Sequence, residues 1–178
     1  MWWTLPAASE PVVRECRDQD VPAIAAIYRH YVEHHSVSFE IDPPDEAEIA
    51  RRRASVLQQG LPYLVAELDG CVAGYAYVVP YRPRKAYQFT VEHSIYVDHR
   101  YARHGVGKAL MDRLIGICGS LGFRQMIAVI GGSDNVASIR FHAALGFEHS
   151  GTLRSVGHKF DRWHDSVLMQ RPLRPPAG

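Results

Sequence analysis

The stretch Phe89-Thr90-Val91-Glu92-His93-Ser94-Ile95-Tyr96-Val97, followed closely by Arg103-His104-Gly105-Val106-Gly107-Lys108, decides the fold of this chain. The first segment is rich in β-branched and aromatic residues and reads as the end of a strand over Tyr87–Val97. After the second, Val106, Leu110, Leu114, Ile117 and Leu121 recur at helical spacing, so a helix follows and stops at Gly122. A strand, a short glycine turn and a helix aim free backbone N–H groups at a phosphate. Both glycines are read as points where the backbone approaches a ligand, because they lack a Cβ. A lone G-x-G also occurs in plain strand-to-helix turns, so the rest of the chain has to decide.

Working outward, Val12 to Cys16 reads as a short strand, and Asp20 as the N-cap of a helix through His34 with Pro22 in its first turn. Ile24, Ile27, Tyr28, Tyr31 and Val32 form its apolar stripe. Asp42-Pro43-Pro44-Asp45 opens a second helix that ends before Gly60. Leu61–Leu68 and Val72–Val79 flank Asp69-Gly70, a hairpin signal. A basic loop, Pro80 to Lys85, precedes the deciding strand. Later come a strand over Gln125–Ile130, a helix over Asn135–Leu145 ended by Gly146, and strands near Gly151–Val156 and Ser166–Gln170. The order β-α-α-β-β-β-α-β-α-β-β predicts an α/β (α+β) fold. Its central sheet is mixed, mostly antiparallel, with helices on both faces. The glycine turn follows a late strand and the GxxxxGK[ST] spacing is absent, so neither a dinucleotide fold nor a P-loop fits. One domain over 11–173 is expected, with residues 1–10 and 174–178 as loose ends.

Composition narrows the function classes. The 178 residues are 47% hydrophobic and 22% charged, with a net charge of +1. Nothing in that balance points to nucleic acid or a membrane as partner. Arg51-Arg52-Arg53 reads as a solvated helix face. Cys16, Cys71 and Cys118 show no CxxC spacing, which fits a reducing compartment. His30 and His34 stand one helical turn apart, but no third ligand converges on them, so no metal is expected. No apolar run approaches a membrane span and no signal peptide is evident, so the expected location is the cytoplasm.

Two segments carry a family resemblance. Ala102-Arg103-His104-Gly105-Val106-Gly107 resembles the Q/R-x-x-G-x-G/A loop with which GCN5-related N-acetyltransferases bind the pyrophosphate of acetyl-CoA, with Ala102 at the usual Gln/Arg place. Asn135 through Gly146-Phe147 resembles the family's second signature, an asparagine opening a helix that ends in a Gly-aromatic pair. Tyr87–Val97 and Gly157–Asp165 are similar to segments of the phosphinothricin / methionine sulfoximine N-acetyltransferase subfamily, and the resemblance runs from about Val12 to Leu173. It implies acetyl-CoA as cosubstrate, a small-molecule amine as acceptor, detoxification as role and a homodimer as assembly.

The resemblance also implies roles for residues. Strand alternation puts Thr90, Glu92 and Ser94 on one face and Val91, His93 and Ile95 on the other. A carboxylate inside an apolar strand is costly unless used or paired. By resemblance Glu92 is the general base, against a salt-bridged structural role. His142 stands where many relatives carry a tyrosine that protonates the CoA thiolate. Imidazole suits that task, but a packed core histidine fits the same position. Backbone groups of Ile95, Tyr96 and Val97 are expected to pair with the pantetheine arm. Arg103, His104, Gly105, Val106, Gly107 and Lys108 are expected around the pyrophosphate, with Asn135 and Ser138 on the cofactor side. Asn135 also fits as a plain N-cap, and the two roles are compatible. For an amino acid with an anionic tail, Arg82 and Arg84 supply cations, Tyr87 and Phe39 aromatic walls, and Thr90 a polar neighbour. A solvated basic loop is the competing reading of the arginines. Competing readings of the whole are acetylation of peptide N-termini or polyamines, and a non-catalytic acyl-CoA-binding protein. A polyamine would call for an acidic pocket rather than Arg82 and Arg84.

Overall fold

A computed structural model describes residues 9–173. The expectations for residues 1–8 and 174–178 lie outside the described residues. Strands β1 (Val12–Glu15), β2 (Tyr63–Leu68), β3 (Cys71–Pro80), β4 (Thr90–Val97), β5 (Gln125–Gly131), β6 (Glu148–Lys159) and β7 (Arg162–Pro172) form a seven-stranded sheet in the order β1-β2-β3-β4-β5-β7-β6. All neighbours are antiparallel except β4 and β5. The helices are α1 (Val21–His34), α2 (Glu46–Gln58), α3 (Val106–Ser120) and α4 (Val136–Ala144). Among the described residues no helix is long and apolar enough to cross a membrane.

The alternation of β4 sets the layers. Tyr28 and Tyr31 of α1 pack on Tyr96, on the face that also carries Ser94 and Glu92. On the opposite face His93 meets His142 of α4, and Val106 of α3 seats against Gly74. A Cβ at Gly74 would stand 3.0 Å from Cγ1 of Val106, so glycine lets α3 sit close to the sheet. Leu110, Met111 and Leu114 of α3 are fully buried. Each contributes roughly 1.5–3 kcal/mol to the core.

The predicted boundaries hold at most elements, and three details change. Asp20 precedes α1, but its carboxylate does not cap the helix: it takes two bonds from Arg14 and one from the Arg17 N–H. Asp45 does cap α2, accepting from the Glu48 N–H. β4 starts at Thr90 rather than Tyr87, because Tyr87 and Gln88 donate to Arg84 and Lys85 in a tight 3-10 turn. β6 and β7 are longer than expected and meet in a hairpin over Phe160 and Asp161, both at positive φ. That turn geometry usually takes Asn or Gly, so the sequence gives it no marker.

The feature that creates a site lies at the only parallel pair of the described sheet. β4 and β5 are registered from Thr90 against Gln125 to His93 against Ala128, and pairing stops there. Beyond it β4 keeps β3 on its outer edge and β5 keeps β7, so Ser94–Val97 and Val129–Gly131 lie unpaired toward each other. The separated ends open a cleft.

Candidate active site

The cleft has a volume of about 780 Å³. That suits a sizeable small molecule. One wall is the free end of β4, another the end of β5, and the start of α3 and the first turns of α4 complete it. Gly105 is the N-cap of α3 at φ 77, and Arg103 before it is at φ 66. No side chain caps this helix, so its first N–H groups are left for a ligand. With the helix dipole they make an anion site.

The two glycines of the turn do different work. Gly105 needs its left-handed backbone, and a Cβ there would meet open space. Gly107 is an ordinary helical residue whose missing Cβ admits the Phe141 ring, which a methyl would approach to 3.3 Å. Its missing Cβ serves helix-to-helix packing, and the residue also lines the cleft.

Glu92 lines the cleft and is half-buried. Burial raises its carboxyl above the ordinary value, and the Arg82 charge opposes that only in part. Among the described residues it has no ion pair, so the salt-bridged structural reading finds no partner. A half-desolvated, unpaired carboxyl beside an anion site is suited to accepting a proton.

His142 also lines the cleft but is 4% exposed. Its Nδ1 lies 2.7 Å from the Ser138 carbonyl oxygen. A carbonyl only accepts, so Nδ1 carries the hydrogen and the neutral ring presents a bare Nε2. That Nε2 stands 3.2 Å from Nε2 of His93, which therefore donates. His93 Nδ1 is then a buried lone pair without a partner. Burial pushes His93 down to about 3, and burial also lowers His142 against the pull of the Ser138 carbonyl. Both rings are neutral near neutral pH.

Arg103, Gly105, Val106, Gly107, Lys108, Ile95, Tyr96, Val97, Asn135, Ser138 and Phe39 all reach the cleft. The Val97 carbonyl accepts from the Tyr31 hydroxyl, which leaves it one lone pair for a ligand. Asn135 caps α4 through Oδ1, which accepts from the Ser138 N–H and leaves the amide NH₂ available. Arg82, Arg84 and Tyr87 line a separate depression of about 380 Å³ together with Tyr81 and Pro83. His104 and Thr90 line neither hollow. The His104 ring donates to the Ala102 carbonyl at 2.9 Å, and the Thr90 carbonyl accepts from Tyr81, tying down the basic loop. The cleft also includes Tyr31, Val37, Ser38, Gly131 and Ser166, which sequence reasoning did not select. Val37 and Ser38 come from the loop after α1, and no local pattern marks them. Among the described residues no group of three or more His, Cys, Asp or Glu is placed to hold a metal ion.

Comparison with known proteins agrees with this geometry. The family model for the acetyltransferase (GNAT) family matches residues 24–147. A phosphinothricin N-acetyltransferase of Alcaligenes faecalis is 54% identical over 161 residues, covering 90% of this chain and 82% of the relative. An L-methionine sulfoximine/L-methionine sulfone acetyltransferase of Pseudomonas aeruginosa is 39% identical over 167 residues, covering 92% and 95%. A crystal structure of a GNAT superfamily phosphinothricin acetyltransferase from Sinorhizobium meliloti, in complex with acetyl-CoA, superposes with a TM-score of 0.89 at 44% identity, covering 94% of this chain and 91% of that one. A mixed sheet splayed at its parallel pair, a glycine loop at the splay and these likenesses lead to one conclusion: the chain is an acetyltransferase of the GNAT family.

Proposed function

We propose that this enzyme, as a single domain over 11–173, moves the acetyl group of acetyl-CoA to the amino group of a small amino-acid-like substrate such as phosphinothricin or methionine sulfoximine. The observation that carries the reading is the unpaired, half-buried Glu92 carboxyl on the wall of a cleft that ends at the glycine start of α3. The CoA pyrophosphate sits on the N–H groups of Gly105 to Lys108, with Arg103 and Lys108 adding charge. The pantetheine arm follows Ile95 and Tyr96, and Asn135 and Ser138 face it from α4. Glu92 takes a proton from the substrate ammonium, directly or through water. The freed amine attacks the thioester carbonyl, the C–N bond forms, the C–S bond breaks, and CoA leaves as a thiolate that takes up a proton.

His142 gives that proton only when its Nε2 is protonated, because the neutral pair keeps that nitrogen bare. General acid help from His142 is therefore a minor contribution beside that of Glu92. Arg82 and Arg84 bind the acceptor's carboxylate and anionic tail at the rim, Tyr87 stands beside them, and Phe39 walls the acceptor side. The Arg82 charge already acts on Glu92, which supports placing the acceptor between them. Thr90 acts by holding Tyr81 and the arginine loop in place. Cytoplasmic detoxification as a homodimer completes the proposal. Leu153, Val156, Phe160 and Trp163 are all exposed on the β6–β7 hairpin, which supports association through that face.

The test is free-thiol release from acetyl-CoA with phosphinothricin, methionine sulfoximine, methionine sulfone, glutamate, spermidine and a short peptide. Selective turnover of the first three is expected. Turnover of spermidine or peptide alone overturns the substrate class. Size-exclusion chromatography with light scattering reads the dimer.

A further inference from the structure

Lys159 is a buried cation that the mechanism does not use. It is 3% exposed, lies near the end of β6, and has no carboxylate within ion-pair distance among the described residues. Its Nζ instead donates to the carbonyl oxygens of His35 at 2.9 Å and Ser38 at 2.8 Å. His35 is the C-cap of α1, so the ammonium also meets the negative end of that helix. A charge held this far from water needs such partners, and here both come from one loop.

That loop, His35 to Phe39, is the segment that brings Val37, Ser38 and Phe39 to the cleft. It is seated at two further points by missing side chains. A Cβ on Gly157 would lie 2.4 Å from Cε2 and 2.5 Å from Cδ2 of Phe39, so the ring rests on bare backbone. A Cβ on Gly131 would lie 2.4 Å from the Ser36 carbonyl oxygen. Ser38 Oγ also bonds the Tyr28 hydroxyl at 2.8 Å. The clamp side is itself fixed. Asp165 accepts from the Ser155 N–H in the β6 bulge and from the Ser133 hydroxyl, which sets the register that turns Gly157 and Lys159 inward.

We propose that Lys159, acting with Gly157 and Gly131, is a positioning residue that clamps the His35–Phe39 strap over the acceptor side of the cleft and so sets recognition of the amine rather than of acetyl-CoA. The inference rests on the proposed function for the identity of the amine, but the clamp can be read without it. The strap and the start of α3 are separate segments of the cleft lining, and the proposed function puts the CoA phosphates on the second. Loss of the clamp therefore separates the two substrates.

The experiment uses Lys159→Met and Gly157→Ala in the full chain. Steady-state kinetics are measured with the best amine of the panel, acetyl-CoA binding by calorimetry, and amide exchange over 36–40 by mass spectrometry. Each variant is expected to raise the amine KM about tenfold or more, with kcat and the acetyl-CoA Kd within about threefold. Exchange in the strap accelerates while that of α3 does not. Gly157→Ala leaves Lys159 in place and moves only the Phe39 ring, so it decides alone if Lys159→Met does not fold. Wild-type amine KM and exchange in the folded variants overturn the clamp, and so does a parallel loss of amine and acetyl-CoA affinity. Wild-type turnover in the same assay reports separately on the substrate reading, and the exchange measurement needs no substrate.

Discussion

Glu92 and His93 are neighbours on one strand, and both are ionisable groups taken out of water, yet they end in opposite roles. Glu92 faces α1 and the open cleft, has no ion-pair partner among the described residues, and feels the charge of Arg82. His93 faces α3 and α4, is 5% exposed, and spends its Nε2 hydrogen on His142. Burial favours the neutral form of each, raising the acid and lowering the base. Both line the cleft, and the difference is in what is left free: the Glu92 carboxyl is half-buried and unpaired among the described residues, whereas His93 is nearly closed off with its Nε2 hydrogen spent on His142. On the proposed function, strand alternation makes one of two adjacent positions the reacting group and the other a structural one.

The largest expected effect breaks the pair on the Glu92 side. Glu92→Gln should lower kcat by about 10²–10⁴-fold with acetyl-CoA binding kept, read by steady-state kinetics and calorimetry. The same change should leave Tm equal or higher at neutral pH. A carboxyl whose folded value is raised binds its proton more tightly in the folded state, so its effect on stability worsens as pH rises through that value.

His93 has the opposite sign. Its folded value of about 3 lies below the unfolded one, so the unfolded chain takes up the proton first as pH falls. Stability is full above the unfolded histidine value and declines below it. Between pH 6.5 and 5 this ring should cost about 2 kcal/mol, an order-of-magnitude figure. Urea unfolding of His93→Phe should show a flatter pH dependence over that range. An unchanged slope would assign the acid sensitivity to other groups.

His142→Phe sharpens the comparison from the other ring. It should lower kcat by no more than about tenfold, since the neutral ring has no Nε2 hydrogen to give. Smallest is Gly105→Ala at the mouth of the cleft. A left-handed alanine costs about 1–2 kcal/mol; if the free loop relaxes to avoid it, re-forming the left-handed turn at the lower end of that cost weakens acetyl-CoA binding about fivefold, with little change in the acceptor KM.

Much of this was legible in the sequence because it is local. The Asp69-Gly70 hairpin, the stripe of α1, the glycine start of α3 and the two faces of β4 each follow from residues close together in the chain. The family signatures also placed Glu92, Asn135 and the α3 loop on the cleft. What the sequence did not reveal depends on partners far along the chain. Asp20 looked like a cap but is drawn off by Arg14, and burial, which alone would raise its carboxyl, is outweighed by the Arg14 bonds that hold it low. The strap from His35 to Phe39 is placed by Lys159 and Gly157, and neither residue announces that contact locally. The Phe160-Asp161 turn has no glycine, so the full length of the last hairpin was hidden. Arg82 and Arg84, expected in one pocket with Phe39, line a depression of their own, with the Arg82 charge still reaching Glu92.

The most direct test is the pH dependence of kcat/KM for the amine in wild type, Glu92→Gln and His142→Phe. The account predicts an acid limb in wild type set by a carboxyl with a raised pKa, kept in His142→Phe and abolished in Glu92→Gln. An acid limb that survives in Glu92→Gln and disappears in His142→Phe would contradict it and move the base to the other face of the sheet.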